Sequence, residues 1–191
     1  MRAATILTTV LAMAGATAAT TLAAPVADDE RVPIDLRRTT LVVRDIDNSL
    51  AFYRDALGLR VIYDNAVRVP RDAASDDEAE RASRLVFLRA NDDYVGIIGL
   101  LQYVKPAKPA LIQGLEPFTP GSSVLLFNAH DLETVFAKAR QVHGVRVLAE
   151  PRPTTYPSYD GSGSISVLVS VLTDPDGFTI ELNQLKSDLG R

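Results

Sequence analysis

The 191-residue chain contains no cysteine. A disulfide framework, thiolate catalysis, a cysteine-bound metal and a lipid-modified cysteine are therefore all excluded. Histidine is almost as scarce: His130 and His143 are the only two, so a histidine-rich metal site is not available either. His130 stands beside a predicted helix cap and His143 in a last helical turn, where a cation is favourable against the helix dipole. Positive charge is not in excess. The formal net charge is −4, and no basic stripe is interleaved with aromatics, which argues against nucleic-acid partners. A glycine-rich phosphate loop, a GxSxG elbow and an HExxH helix are all missing, and with them the chemistries they support.

Apolar residues make up 47% of the chain, enough for a packed core, which excludes global disorder. The first two dozen residues stand apart. Met1 and Arg2 precede an uncharged Ala/Thr/Leu run from Ala3 to Ala24. A basic start, an apolar stretch too short for a membrane span and a small-x-small Ala16-Thr17-Ala18 read as a secretory signal peptide over 1–24, cleaved between 18 and 24. An uncleaved N-terminal anchor is the alternative. Residues 25–36 read as a polar tether.

Beyond it the chain repeats. Thr39 to Tyr63, TTLVVRDIDNSLAFYRDALGLRVIY, has a second copy in Val124 to Ala149, VLLFNAHDLETVFAKARQVHGVRVLA. Asp45 stands 13 residues before Gly58, as Asp131 stands 13 before Gly144, an offset of 86. A repeat that contains strand, helix and strand is a whole module. Thr39, Leu41 and Val43 fall on one face of the first strand and Arg38, Thr40, Val42 and Arg44 on the other. Leu50, Tyr53 and Leu57 form the apolar stripe of the first helix; Leu132, Val135, Phe136, Ala139 and Val142 form that of the second. Strands are predicted over 59–63, 84–89 and 94–103, with 64–83 as a long surface loop. The proline-rich 104–121 reads as the connection between modules. Thr154 to Ser164, TTYPSYDGSGS, reads as a mobile loop carrying Tyr156 and Tyr159. Asp174-Pro175-Asp176-Gly177 reads as the turn of a closing hairpin, and turn chemistry suffices to explain its two acids. The expected fold is α+β: two paired βαβββ modules, 37–103 and 122–183, forming a curved-sheet cleft, with 184–191 as a tail.

Three stretches, TTLVVRDIDNSLAFYRDALGL, AHDLETVFAKARQVHGVRVLAEP and the closing DPDGFTIEL, resemble the vicinal oxygen chelate superfamily. That group includes glyoxalase I, extradiol dioxygenases, and the bleomycin- and fosfomycin-resistance proteins. In its metal-dependent members, ligands come from the first and last strands of each module. By resemblance these positions fall on Arg38, Gly99, Val124 and Glu181. Only Glu181 can ligate: guanidinium offers no lone pair, and glycine and valine have no donor. The resemblance therefore implies a small-molecule cleft without a metal, and no other cofactor. Arg38 and Glu181 are expected in the cleft as an ion pair, or with Arg38 binding an anionic ligand. Asn128, Tyr103 and Thr179 share the cleft-facing phase and are the remaining ligand-binding candidates. Three readings stay open: a metal-free binding protein, a metal-free enzyme using Arg38 and Glu181, and a glyoxalase- or dioxygenase-like metalloenzyme with other ligands. The expected partner is a small molecule, with no stable membrane anchor after cleavage and with a homodimer left open.

The leader reading is checked by intact mass. Protein recovered from its native host is expected to begin beyond Ala18 and to lie outside the cytoplasm. A soluble cytoplasmic pool retaining Met1 would reject it.

Overall fold

Asp45 and Asp131 begin the two helices, as the repeat predicts. Asp45 Oδ1 accepts from Asp47 N at 2.9 Å and Asn48 N at 3.3 Å. Asp131 Oδ1 accepts from Thr134 N at 3.1 Å. These are donors that no preceding turn can satisfy. Gly58 and Gly144 follow the helices at φ +82° and +85°, a region where a Cβ is costly. Helix α1 (Ile46–Leu50) widens into a π-type turn over Ala51–Ala56, and α2 spans Leu132–Ala139.

The computed structural model describes residues 27–109, 116–158, 161 and 163–186. The predicted leader, Tyr159, part of the intermodule connection and the end of the tail lie outside them. The chain divides into two units, Met1–Asp35 and Leu36–Arg191. The described part of the first is exposed throughout and carries one 3-10 turn, Asp28–Glu30.

The second unit holds two four-stranded sheets. The first contains β1 (Arg38–Val42), β2 (Arg60–Val69), β3 (Arg81–Arg89) and β4 (Ile97–Lys105). The other contains β5 (Val124–Asn128), β6 (Arg146–Pro157), β7 (Ser164–Thr173) and β8 (Thr179–Leu185). Strand orders are β1-β4-β3-β2 and β5-β8-β7-β6. In each, the first strand runs parallel to the last, and the other pairs are antiparallel. The fold is the expected α+β pair of βαβββ modules with curved sheets.

Two segments depart from expectation. Much of 64–83 is strand rather than loop: its exposed charges pair across the sheet. Arg84 Nε and Nη2 donate to Asp64 at 2.9 and 2.7 Å, and Arg84 Nη1 to Asp47 at 2.7 Å. Opposite charges on neighbouring strands stabilise the register that they hide in the sequence. Likewise Tyr156 is not on a loop. β6 continues to Pro157, pairing Thr154, Thr155, Tyr156 and Pro157 with Val167, Ser166, Ile165 and Ser164. β6 is an edge strand, where proline leaves no ladder bond unmade.

One core unites both modules. Phe52, Tyr53 and Leu100 from the first share it with Leu132, Leu172 and Ile180 from the second. The modules thus join through their helix-bearing faces, leaving the opposite faces to the cleft. Polar contacts lock the seam. Tyr53 Oη donates to Asp174 Oδ2 at 2.8 Å. Arg44 N and Nε donate to Asp176 Oδ1 at 2.9 and 2.8 Å. Asn48 Nδ2 donates to His143 O at 3.0 Å. The two acids of the Asp174–Gly177 turn therefore do more than form a turn: they tie the second module to the first helix.

Asp174 is fully buried. Burial pushes its carboxyl up to about 6, against the lowering effect of the Tyr53 hydroxyl and the N–H groups of Phe178 and Asp176. Its folded pKa lies above the unfolded value. The stability it contributes is therefore complete below about 4 and is lost as pH rises through 6. Wild type is expected to gain about 2–3 kcal/mol relative to D174N between pH 7.5 and pH 4. Urea denaturation across that range reads the difference. A constant offset would show that Asp174 is not proton-linked.

Candidate functional site

Strand alternation decides which side chains reach the cleft. Leu41 is buried in the core, and Arg38, Thr40 and Val42 face the other way. Cross-strand register sets Thr40, Gly99, Phe87 and Tyr63 in one row across the first sheet. In the second sheet Leu126, Glu181 and Val171 form one row, and Asn128, Asn183 and Val169 the next. Tyr103 lies two residues along from Leu101 on the Gly99 face, opposite Ser83. Thr179 pairs with Val124 and Thr173. The sequence candidates thus divide between the sheets, with Arg38 and Tyr103 on one and Asn128, Thr179 and Glu181 on the other.

The expected Arg38–Glu181 ion pair is not formed. Arg38 Nε donates to Thr40 Oγ1 at 3.0 Å, and its guanidinium lies 4.1 Å from the Phe87 ring centre. Tyr63 stacks on Phe87 at 4.8 Å with 23° between ring planes. Glu181 instead accepts from Asn183 Nδ2 at 3.0 Å. Gly99 explains the difference. A Cβ there would meet Thr40 Oγ1 at 2.8 Å and Arg38 Cδ at 3.1 Å. Glycine lets the arginine lie flat along its own sheet, where the ring face attracts it.

Phe87, Tyr63 and Asn183 escaped the sequence reading. Asn183 was accessible to it, since it follows Glu181 by one period of the strand. Phe87 and Tyr63 become neighbours only through a register that shifts between Val61 and Tyr63. Asn183 is buried, and its Oδ1 has no protein partner. Tyr103 is covered by Lys108, whose Nζ lies 4.0 Å from its ring centre.

The donor set does not fit a divalent metal. At the four strand positions only Glu181 carries a ligating atom, and a cation there faces a guanidinium-bearing wall. Among the described residues no three His, Asp or Glu side chains converge on a point able to hold a metal.

The comparisons agree with this architecture. The sequence model of the Glyoxalase/Bleomycin resistance protein/Dioxygenase superfamily matches residues 35–182. A search of curated protein sequences finds no match. A crystal structure of a glyoxalase family protein from Bacillus cereus superposes with a TM-score of 0.62 at 15% identity, covering 84% of this chain and 100% of that one. The trypanothione-dependent glyoxalase I of Leishmania major gives 0.50 at 21% identity, covering 79% and 86%. At these identities the likeness is one of fold.

Because Arg38 and Glu181 do not touch, the two are expected to behave independently. R38A should cost about 1 kcal/mol or less, the loss of an exposed cation–π contact. Its coupling to E181A should stay below about 0.5 kcal/mol. A double-mutant cycle by urea denaturation measures this, and a larger coupling would restore the ion pair.

Proposed function

The chain belongs to the Glyoxalase/Bleomycin resistance protein/Dioxygenase superfamily, and within it we propose an exported protein that binds a small organic molecule in its cleft without a divalent metal. One observation carries the reading. Where a metal would need donors, the first module carries Arg38 and Gly99, and the arginine lies across the space above the glycine. A metal-centred electrophile is replaced by a fixed cation.

The lining suggests the ligand's chemistry. Val42, Val124 and Leu126 are 51%, 39% and 52% exposed, so the face between the polar groups is apolar and open to an apolar body. The Tyr63–Phe87 stack offers a flat surface for a planar one. The guanidinium edge above it suits a carboxylate or another oxyanion. Glu181 and Asn183 supply an acceptor and an amide on the opposite sheet. The ligand that fits is a small apolar or planar organic molecule bearing one anionic group. Export rests on the uncharged segment after Arg2, and a second copy of the chain is compatible with the site.

Calorimetric titration of chelator-treated protein with small aromatic carboxylates tests this. Saturable binding that is unaffected by chelation and weakened about tenfold in R38A is expected. One equivalent of tightly held zinc, iron or manganese, lost in E181Q, would overturn the metal-free reading.

A further inference from the structure

The repeat creates two seams where the end of one module's helix meets the strand–helix corner of the other. At the first, Arg44, Asp45 and Asn48 face His143 and Gly144. At the second, 86 residues on, His130, Asp131 and Thr134 face Leu57 and Gly58. The local scaffolds match. Gln102 Oε1 accepts from Ile46 N at 3.1 Å, and Gln184 Oε1 accepts from Leu132 N at 3.3 Å. The closing strands therefore correspond at an offset of 82 residues.

The first seam is tied by the protein's own carboxylates. Asp176 takes Arg44 N and Nε, with Ser49 Oγ at 3.3 Å, and Asp174 takes the Tyr53 hydroxyl. Arg44 Nη2 also donates to Pro175 O. At the second seam most partners are changed. His130 replaces Arg44 and Ala139 replaces Tyr53; at the 82-residue offset Tyr94 corresponds in number to Asp176, while Asp92 keeps the aspartate of Asp174. The Tyr94 ring lies against Arg37, 4.5 Å from its guanidinium carbon. The neighbouring acids turn inward: Asp92 Oδ1 accepts from Tyr94 N and Val95 N at 2.7 and 2.8 Å, and Asp93 pairs with Arg89 at 2.7 Å. Among the described residues no carboxylate reaches His130 N.

A groove of about 570 Å³ opens there, and one of about 450 Å³, with Asp176 in its lining, opens at the first seam. Arg60, Arg89, Asn128 and His130 line it, over an apolar floor that includes Leu59, Phe127 and Leu182. Among the described residues Arg60 has no ion-pair partner. Arg89 pairs with Asp93, which is 84% exposed, and donates to Ala90 O at 3.4 Å. Asp131 also faces the groove, but its charge is committed to the start of α2. The volume suits a ligand of several carbons, and the cations with an apolar floor suit one with an acid head and an apolar tail.

We propose that the second seam is a binding site for a small organic carboxylate, whose head group takes the place Asp176 fills in the first. The site meets the cleft at Asn128 and does not rest on the cleft reading. The test is ¹⁵N-resolved NMR titration of the full chain with hexanoate, and with hexan-1-ol as a neutral isostere. Hexanoate is expected to give saturable shifts at the amides of Arg60, Arg89 and His130. R60Q should weaken them about tenfold, and R38A, which alters only the cleft, should not. No saturable shift, shifts confined to Gly99 and Glu181 in the cleft, or equal binding of hexan-1-ol would each overturn the proposal. Shifts confined to the cleft would do so while leaving the cleft reading intact.

Discussion

The hydrogen bond from Tyr53 to Asp174 sits where two chain halves must become one body. A βαβββ module has a single helix to cover one face of four strands, which leaves apolar surface that water penalises. The two modules resolve this together: the helix-bearing faces of both close into one core, with Tyr53 at its centre, against Phe52 and near Phe127. Burying a tyrosine there requires an acceptor for its hydroxyl. The closing turn of the second module supplies Asp174, itself without exposure. Each group would be an uncompensated polar burden without the other. Their mutual satisfaction fixes how the halves meet, and so fixes which sheet faces are left for ligands.

Those faces carry few groups able to ligate a metal at the four strand positions, Glu181 alone among them. A divalent ion needs several lone pairs converging from both modules, and this cleft presents one carboxylate. Gly99 removes a side chain from the floor, Thr40 anchors the Arg38 Nε, and Phe87 with Tyr63 forms the surface beneath the guanidinium. The result is a positive, partly aromatic wall opposite a Glu181–Asn183 pair.

Internal repetition is useful because its copies have diverged. The same corner of the fold, seen twice, is tied by Asp176 in one module and lined by Arg60, Arg89 and His130 in the other. The polar residues of a seam also constrain it: Asp176 holds Arg44 through backbone and side chain at once, so that seam is fixed, whereas His130 makes no such bond among the described residues.

Capping aspartates, closing glycines, helical stripes and the repeat offset were all legible from residue order, because they are local: a carboxylate folding onto N–H groups two and three residues on, or a positive φ, needs no distant partner. Those features were enough for the two-module fold. Where distant residues decide, the sequence fell silent. Asp64 read as a loop charge until the sheet paired it with Arg84. Tyr156 read as a loop residue until β7 gave its strand a neighbour. The acids of the closing turn read as turn formers until Tyr53 and Arg44 met them across more than 120 residues. Arg38 was matched to Glu181 by charge alone, but a glycine, a threonine and a phenylalanine from three strands gave it a better place on its own sheet. Periodicity assigns a side chain to a face; only the register and packing of the assembled strands determine what it touches there.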